Sequence, residues 1–294
     1  MTLIRYRLIY ERKQMDPSFD ATGVLKILKV SRSGYYAYIG RKKSNQALRK
    51  EKMQELILKI YHQNHKVYGA PKITACLNDL GYKISMRTVA AYMKELGIKV
   101  IWTRPFTRTT LNSDYSSKLK NILDRDFNPS CPNAAWCTDI TYIYTLADGF
   151  VYLTSVMDLY SRKIIAWTLS KTMEVEDVLD CIKTAKQRRN IERTLVIHSD
   201  RGSQYVSDLY LKLTDGIKRS YSKKGNPWDN ACIESFHSLI KREWLNRKLI
   251  FDYDRAYDLC FEYIEAFYNT TRIHSHNGYE SPNNHEKRFK EQKH

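Results

Sequence analysis

Between residues 135 and 169 the chain carries three runs rich in β-branched and aromatic residues, at 135-144, 150-158 and 162-169. Ala147-Asp148-Gly149 and Leu159-Tyr160-Ser161 separate them as turns, so the runs read as three antiparallel strands. The period then changes. Val175, Val178, Leu179, Ile182 and Ala185 repeat at helical spacing, and Leu195-Val196-Ile197 reads as a buried strand at 194-198. A helix near 207-214 and a strand at 217-222 follow. Three antiparallel strands followed by alternating helices and strands predict an α/β fold with a mixed sheet covered by helices.

Three acids fall at telling places in that pattern. Asp139 lies within the first strand, Asp200 just past the strand at 194-198, and Glu234 inside a helical pattern opened by Pro227-Trp228-Asp229. Acids so placed can hold two divalent cations. In-line exchange of one phosphodiester oxygen for another uses one metal to activate the incoming oxygen and a second to stabilise the leaving one. Carboxylates are the natural hard ligands for Mg²⁺ or Mn²⁺. His198 and Gln204 flank Asp200, where hydrogen bonds would orient it, with a satisfied core histidine as the other reading of His198. Asn230 precedes the Glu234 helix as a cap or a nucleotide contact. Asp158 ends a strand, where it stabilises the turn or pairs with Arg162. Lys241 lies seven residues after Glu234, two turns along the same face, and is placed for a phosphate or for solvent.

Charge divides the chain. Residues 1-128 hold 25 Lys/Arg against 10 Asp/Glu, whereas residues 129-294 hold 24 against 22, out of a total of +17. A basic first half beside a balanced second half points to a polyanion, nucleic acid first, gripped by the first half. Within it, residues 47-100 read as three short helices. Met53, Leu56, Ile57, Ile60 and Tyr61 mark the first, Gly69-Ala70-Pro71 opens the second, and Ser85 caps a third that runs to Gly97. This resembles a helix-turn-helix, whose last helix would present Met86, Arg87 and Lys94 to base edges, with Lys99, Arg104 and Arg108 tracking phosphates. An ordinary helical bundle with a charged face is the other reading. Residues 1-20 show no pattern and read as a frayed arm, and residues 21-40 as a truncated helix-turn-helix with Ser31 as a cap. Residues 101-131 read as a linker. No run approaches the roughly 18 to 20 apolar residues of a membrane span, and the start lacks the apolar core of a signal peptide. The six cysteines show no CxxC spacing and read as reduced, mostly buried thiols of an intracellular protein.

Three motifs carry a resemblance. Trp136-x-Thr138-Asp139-Ile140-Thr141-Tyr142, His198-Ser199-Asp200-x-Gly202-x-Gln204-Tyr205 and Gly225-Asn226-x-x-Asp229-Asn230-Ala231-x-x-Glu234-Ser235-Phe236 look like those of DDE transposases of insertion sequences. The likeness is to the two-reading-frame kind, whose second frame encodes a retroviral-integrase-like catalytic protein, and it runs from about Val24 to Pro282. It implies a ribonuclease H-like catalytic core at 132-250 behind the helix-turn-helix domain, with a helical tail at 251-294. It also implies Asp139, Asp200 and Glu234 as catalytic metal ligands for two Mg²⁺ or Mn²⁺ ions. Further implications are double-stranded DNA as substrate, a homo-oligomer in the DNA complex, a first-frame protein as partner or fusion, and a cytoplasmic, nucleoid-associated place in a bacterium. The chain departs from the family twice. Asp200 and Glu234 are separated by 33 residues, two fewer than is usual, and Asn277 stands where an apolar residue usually precedes the Gly-Tyr pair. Arg272 and His274 in the tail read as DNA contacts or as structural residues. The alternative function is a DNA-binding regulator with an inactive ribonuclease H-like scaffold.

Overall fold

The computed structural model describes residues 2–40, 44–100, 119–192, 194–223 and 226–292, and the chain divides into two compact units, Met1–Lys59 and Ile60–His294. The first holds α1 (Thr2–Met15), α2 (Ala21–Ile27), α3 (Arg32–Ile39) and most of α4 (Asn45–Gln63). Asp20 caps α2 by accepting from the Gly23 amide at 3.0 Å, and Ser31 caps α3 by accepting from the Gly34 amide at 3.2 Å. Tyr6, Ile9, Ala21, Leu25 and Tyr35 form the core of this unit. Residues 2–15 are therefore a packed helix and not the frayed arm the sequence suggests. Only Tyr6 and Ile9 of α1 are buried, while Leu3, Ile4 and Leu8 are 59–62% exposed, so its apolar residues face several ways and write no helical period.

In the second unit, α5 (Ala70–Asp79) and α6 (Met86–Glu95) pack on one another, and Ile73, Leu77, Val89 and Met93 are buried on them. Ser85 accepts from the Thr88 amide at 3.1 Å to start α6. Gly81 and Gly97 follow the two helices with φ of +85° and +66°, the left-handed conformation that glycine supplies without strain.

The sheet has five strands, β1 (Ala135–Thr145), β2 (Gly149–Asp158), β3 (Ile164–Ser170), β4 (Val196–Ser199) and β5 (Lys218–Tyr221), in the order β3-β2-β1-β4-β5. β1 and β2 pair antiparallel from Trp136↔Asp158 to Thr145↔Gly149, and β3 extends that side antiparallel. β4 and β5 add parallel strands on the other side of β1. This is the ribonuclease H-like order. Arg162, at φ +61°, belongs to the turn, which is why β3 begins two residues later than the apolar run suggests. α7 (Val175–Arg188) lays Val178, Cys181, Ile182 and Ala185 against Trp136, Val156, Ile165 and Ala166 to make the main core. α8 (Ser203–Val206) and α9 (Asp208–Leu213) link β4 to β5.

A 3₁₀ turn at Pro227–Asn230 leads into α10 (Ala231–Glu243), which packs on β1. α11 (Tyr253–Phe261) runs on as a π-helical stretch, Glu262–Tyr268, and α12 (Pro282–Glu291) follows. Among the described residues no helix is long and apolar enough to cross a membrane. All six cysteines are free thiols, four of them buried.

Candidate active site

β1 carries Asp139, whose side chain is 18% exposed. β4 runs parallel beside it with His198 opposite Cys137, so Asp200, just past the end of β4 and two residues after His198, lies level with Asp139, two residues after Cys137 in the middle of β1. The two carboxyls feel one another. Burial and then the negative charge of Asp139 push the Asp200 carboxyl up to about 6, against the pull of the Gly202 amide, which donates to Asp200 Oδ1 at 2.9 Å. The space beside Gly202 is close, since a Cβ there would sit 3.1 Å from both Asp200 Oδ1 and Gln204 Oε1. A buried carboxylate raised by a neighbouring carboxylate is a donor set that a hard divalent cation would satisfy in place of a proton.

Glu234 occupies the first turn of α10 and is exposed. The structure brings Asp139 and Asp200 together, but among the described residues it gathers no group of three His, Cys, Asp or Glu side chains that could hold a metal ion. What fixes α10 is a buried stripe, Ile233, Phe236, His237 and Ile240, together with Asn230, whose Nδ2 donates to the Thr138 carbonyl at 3.4 Å beside Asp139. Asp229, just before the helix, is held by Arg125 at 2.7 Å, Asn121 at 3.1 Å and the Lys223 amide at 2.8 Å. His237 and the Asp229 cluster go unread in the sequence. A histidine inside the apolar i, i+3, i+4, i+7 stripe of α10 is the signal that reveals the first.

His198 and Gln204 do not bond to Asp200. His198 is fully buried, with Nδ1 2.9 Å from Ser220 Oγ and Nε2 3.1 Å from Ser222 Oγ, and burial lowers its pKa to about 4. It is a neutral core histidine that ties β4 to β5. Gln204 donates to the Met173 carbonyl at 3.1 Å. Asp158 stabilises the turn, accepting from the Asn133 and Tyr160 amides at 2.9 Å each, while Arg162 donates to the Leu159 carbonyl.

Lys241 reaches back toward the acids. Its ammonium lies 4.3 Å from the centroid of the Tyr142 ring, and its pKa is lowered by burial and raised in part by Asp139. Tyr142, Tyr144 and Phe150 form an exposed aromatic cluster with ring centroids 5.4 Å apart across the β1–β2 hairpin. On α6, Arg87 and Lys94 are exposed and one heptad apart on the helix; Lys99 beyond it is also exposed. Arg104 and Arg108 lie outside the described residues.

The tail residues are structural. Arg272 is 5% exposed and its guanidinium grips Glu243 at 2.8 and 2.7 Å, with His274 Nε2 3.4 Å from Arg272 Nη1. Burial leaves neither side chain facing DNA. Asn277, 1% exposed, donates to the Ser161 carbonyl at 2.7 Å, so the polar residue is turned to a backbone acceptor that an apolar one would leave to itself.

Comparison with known proteins agrees with this architecture. Residues 129–227 and 215–282 match integrase core domain families, and residues 47–106 match an HTH-like domain. The transposase of insertion sequence element IS904 from Lactococcus lactis subsp. lactis (strain IL1403) is 34% identical over 249 residues, which cover 84% of this chain and 98% of that protein. Transposase InsF of insertion sequence IS3A from Escherichia coli (strain K12) is 33% identical over 268 residues, covering 90% of this chain and 93% of that one. Among solved structures, the HTLV-2 integrase catalytic core domain in complex with magnesium aligns with a TM-score of 0.41 at 16% identity, over 53% of this chain and 97% of that chain. The core and its relatives define a polynucleotidyl transferase of the DDE type. The chain belongs to the IS3 family of insertion-sequence transposases.

Proposed function

We propose that Asp139, Asp200 and Glu234 are the catalytic carboxylates and that they bind two Mg²⁺ or Mn²⁺ ions during cleavage and transfer of the element's DNA strands. The observation that carries this reading is the proximity of Asp139, in mid-β1, to Asp200, just past the end of the neighbouring β4, with the Asp200 carboxyl pushed up to about 6. Bound there, the ions would activate the attacking oxygen and stabilise the leaving one. Glu234, in the first turn of α10, would supply the third carboxylate. In the first step water oxygen bonds to phosphorus as the P–O3′ bond breaks, freeing a 3′-hydroxyl and leaving a 5′-phosphate. In the second, that 3′-oxygen bonds to a target phosphorus, breaking a second P–O3′ bond, so one phosphodiester is exchanged for another without a covalent enzyme intermediate.

Residues 47-100 serve as the helix-turn-helix that grips double-stranded DNA. Arg87 and Lys94 reach base edges, and Lys99, Arg104, Arg108 and Lys241 reach phosphates. Residues 1-46 are an accessory helical region, 101-131 the linker, 132-250 the catalytic core and 251-294 its tail. Two element ends must be held together, which calls for more than one copy of the chain, and a first-frame protein, as partner or fusion, would supply the main end recognition. Such chemistry belongs with the nucleoid in the cytoplasm. The test is strand transfer of a labelled oligonucleotide with a free 3′-hydroxyl into plasmid in Mg²⁺ or Mn²⁺. Joined product from the wild type and none from Glu234→Gln is the expected result; equal yields from both would remove Glu234 from the site.

A further inference from the structure

We infer that His237 is a positioning residue for Asp139, and that it couples the helix carrying Glu234 to the strand carrying Asp139. The role rests on the reading of Asp139 as a metal ligand. His237 lies three residues after Glu234, on the buried side of α10, and is 5% exposed. Its neighbours on that stripe, Ile233, Phe236 and Ile240, are apolar, so packing alone asks for another apolar residue at this position. A polar ring buried there needs partners on both nitrogens. It has them. Nδ1 stands 3.4 Å from Asp139 Oδ2, and Nε2 stands 3.4 Å from Ser155 Oγ.

Those partners face each other across the sheet, because Asp139 and Ser155 are paired in the β1–β2 register. The imidazole therefore spans the two strands of the hairpin at the level of the acid, with Nε2 hydrogen-bonded to Ser155 and Nδ1 facing Asp139. His237 is also the only cationic or potentially cationic side chain within ion-pair distance of Asp139 among the described residues. Two consequences follow from this geometry. The Asp139 carboxyl faces an imidazole nitrogen from α10 at ion-pair distance, and the first turn of α10, where Glu234 sits, is registered against β1 by that same contact. Groups that orient a metal-binding carboxylate in this manner change metal affinity or activity by roughly 10- to 100-fold when removed.

The test uses the full-length chain and two substitutions that separate packing from donation. His237→Phe keeps a ring of similar size and removes the nitrogen that faces Asp139, whereas His237→Asn keeps an N–H near the position of Nδ1. Mn²⁺ affinity measured by electron paramagnetic resonance, and the Mg²⁺ concentration giving half-maximal strand transfer, are expected to weaken about tenfold or more in His237→Phe. His237→Asn is expected to stay within about threefold of wild type. Thermal midpoints guard against a folding effect, since a purely structural histidine would lower the midpoint in both variants and leave metal affinity of the folded protein unchanged; that pattern overturns the proposal. Asp139→Asn separates the two layers of the argument. If it loses Mn²⁺ while His237→Phe does not, only the positioning role fails; if it too binds Mn²⁺ normally, the metal reading of Asp139 fails and the positioning role falls with it.

Discussion

α10 carries two glutamates nine residues apart, and the helix treats them in opposite ways. Glu234, in the first turn, is exposed. Glu243, at the last residue, is 8% exposed and accepts from Arg272 Nε and Nη2 and from the Tyr263 hydroxyl at 2.7–2.8 Å. Burial alone would raise the Glu243 carboxyl, but the hydrogen bonds and charge of Arg272 outweigh it and hold the pKa below the usual carboxylate value. The same side chain thus does two jobs. At one end of the helix it is exposed to solvent, and at the other it holds the helix to the tail. A carboxylate buried and saturated by protein donors is a structural part, whereas an exposed one in the first turn of the helix that follows the site strands is a candidate for chemistry.

The strongest test of this contrast is to neutralise each glutamate's function in turn. Glu234→Gln should lower strand transfer by about a thousandfold, the rate equivalent of several kcal/mol of transition-state charge stabilisation. Its thermal midpoint should move by no more than about 2 °C, since an exposed substitution costs about 0.5 kcal/mol or less. The opposite end should behave oppositely. Arg272→Met leaves Glu243 as a buried, uncompensated charge, at a cost of about 3–5 kcal/mol, lowering the midpoint by about 6–20 °C. The double variant Arg272→Met/Glu243→Met should recover most of that loss, because a well-packed apolar pair replaces a buried ion pair at little net cost. A calorimetric scan of the four proteins decides it. Full stability in Arg272→Met would break the contrast at its structural end.

How much of this could be read from the sequence depended on whether a feature was local. The turn at Gly149, the caps at Ser31 and Ser85 and the strand contexts of Asp139 and Asp200 are each written within a few residues, and the structure places them as the patterns suggest. α1 and α12 were not legible as helices. α1 buries only Tyr6 and Ile9, and α12 is polar with only Pro282 and Glu286 buried, so neither shows an apolar stripe. The partners of Glu243 were illegible for another reason. Arg272 lies 29 residues away, and only the folded tail reveals that the arginine faces a glutamate instead of DNA. His198 shows the same limit in reverse, since its neighbour in sequence is the site and its partners in space are Ser220 and Ser222.

A smaller effect sharpens the comparison at Asp200. Its carboxyl is raised to about 6, so between about pH 4 and 6 the folded chain holds a proton that the unfolded chain releases, and stability falls as pH rises through that window. Asp200→Asn should therefore be the more stable protein at pH 7.5, by on the order of 1 kcal/mol, or about 2–4 °C, while losing strand transfer. Asp158 is also raised to about 6 by burial, so a stability curve alone does not single out Asp200. Magnesium does. The rate should fall as pH drops through about 6, and raising Mg²⁺ should move that midpoint lower, because cation and proton compete for the same carboxylate. A midpoint indifferent to Mg²⁺ would detach Asp200 from metal binding.

Lys241 lies between the two ends of α10 and tests where the active end stops. Two turns after Glu234 and two residues before Glu243, it keeps its ammonium on the Tyr142 ring and within electrostatic reach of Asp139. If it belongs to the DNA-binding end, Lys241→Gln should weaken binding of an end oligonucleotide a few-fold and reduce the slope of log K against log salt by about 1, the signature of one lost phosphate contact. If it belongs to the structural end, the salt slope stays the same and the cost appears as a lower thermal midpoint, through the lost cation–π contact of about 0.5–2 kcal/mol. Fluorescence anisotropy across a salt series reads the first quantity and a melting curve the second. The first outcome is the expected one on the proposal that Lys241 contacts a phosphate, since Asp139 has His237 at 3.4 Å as a second neighbour.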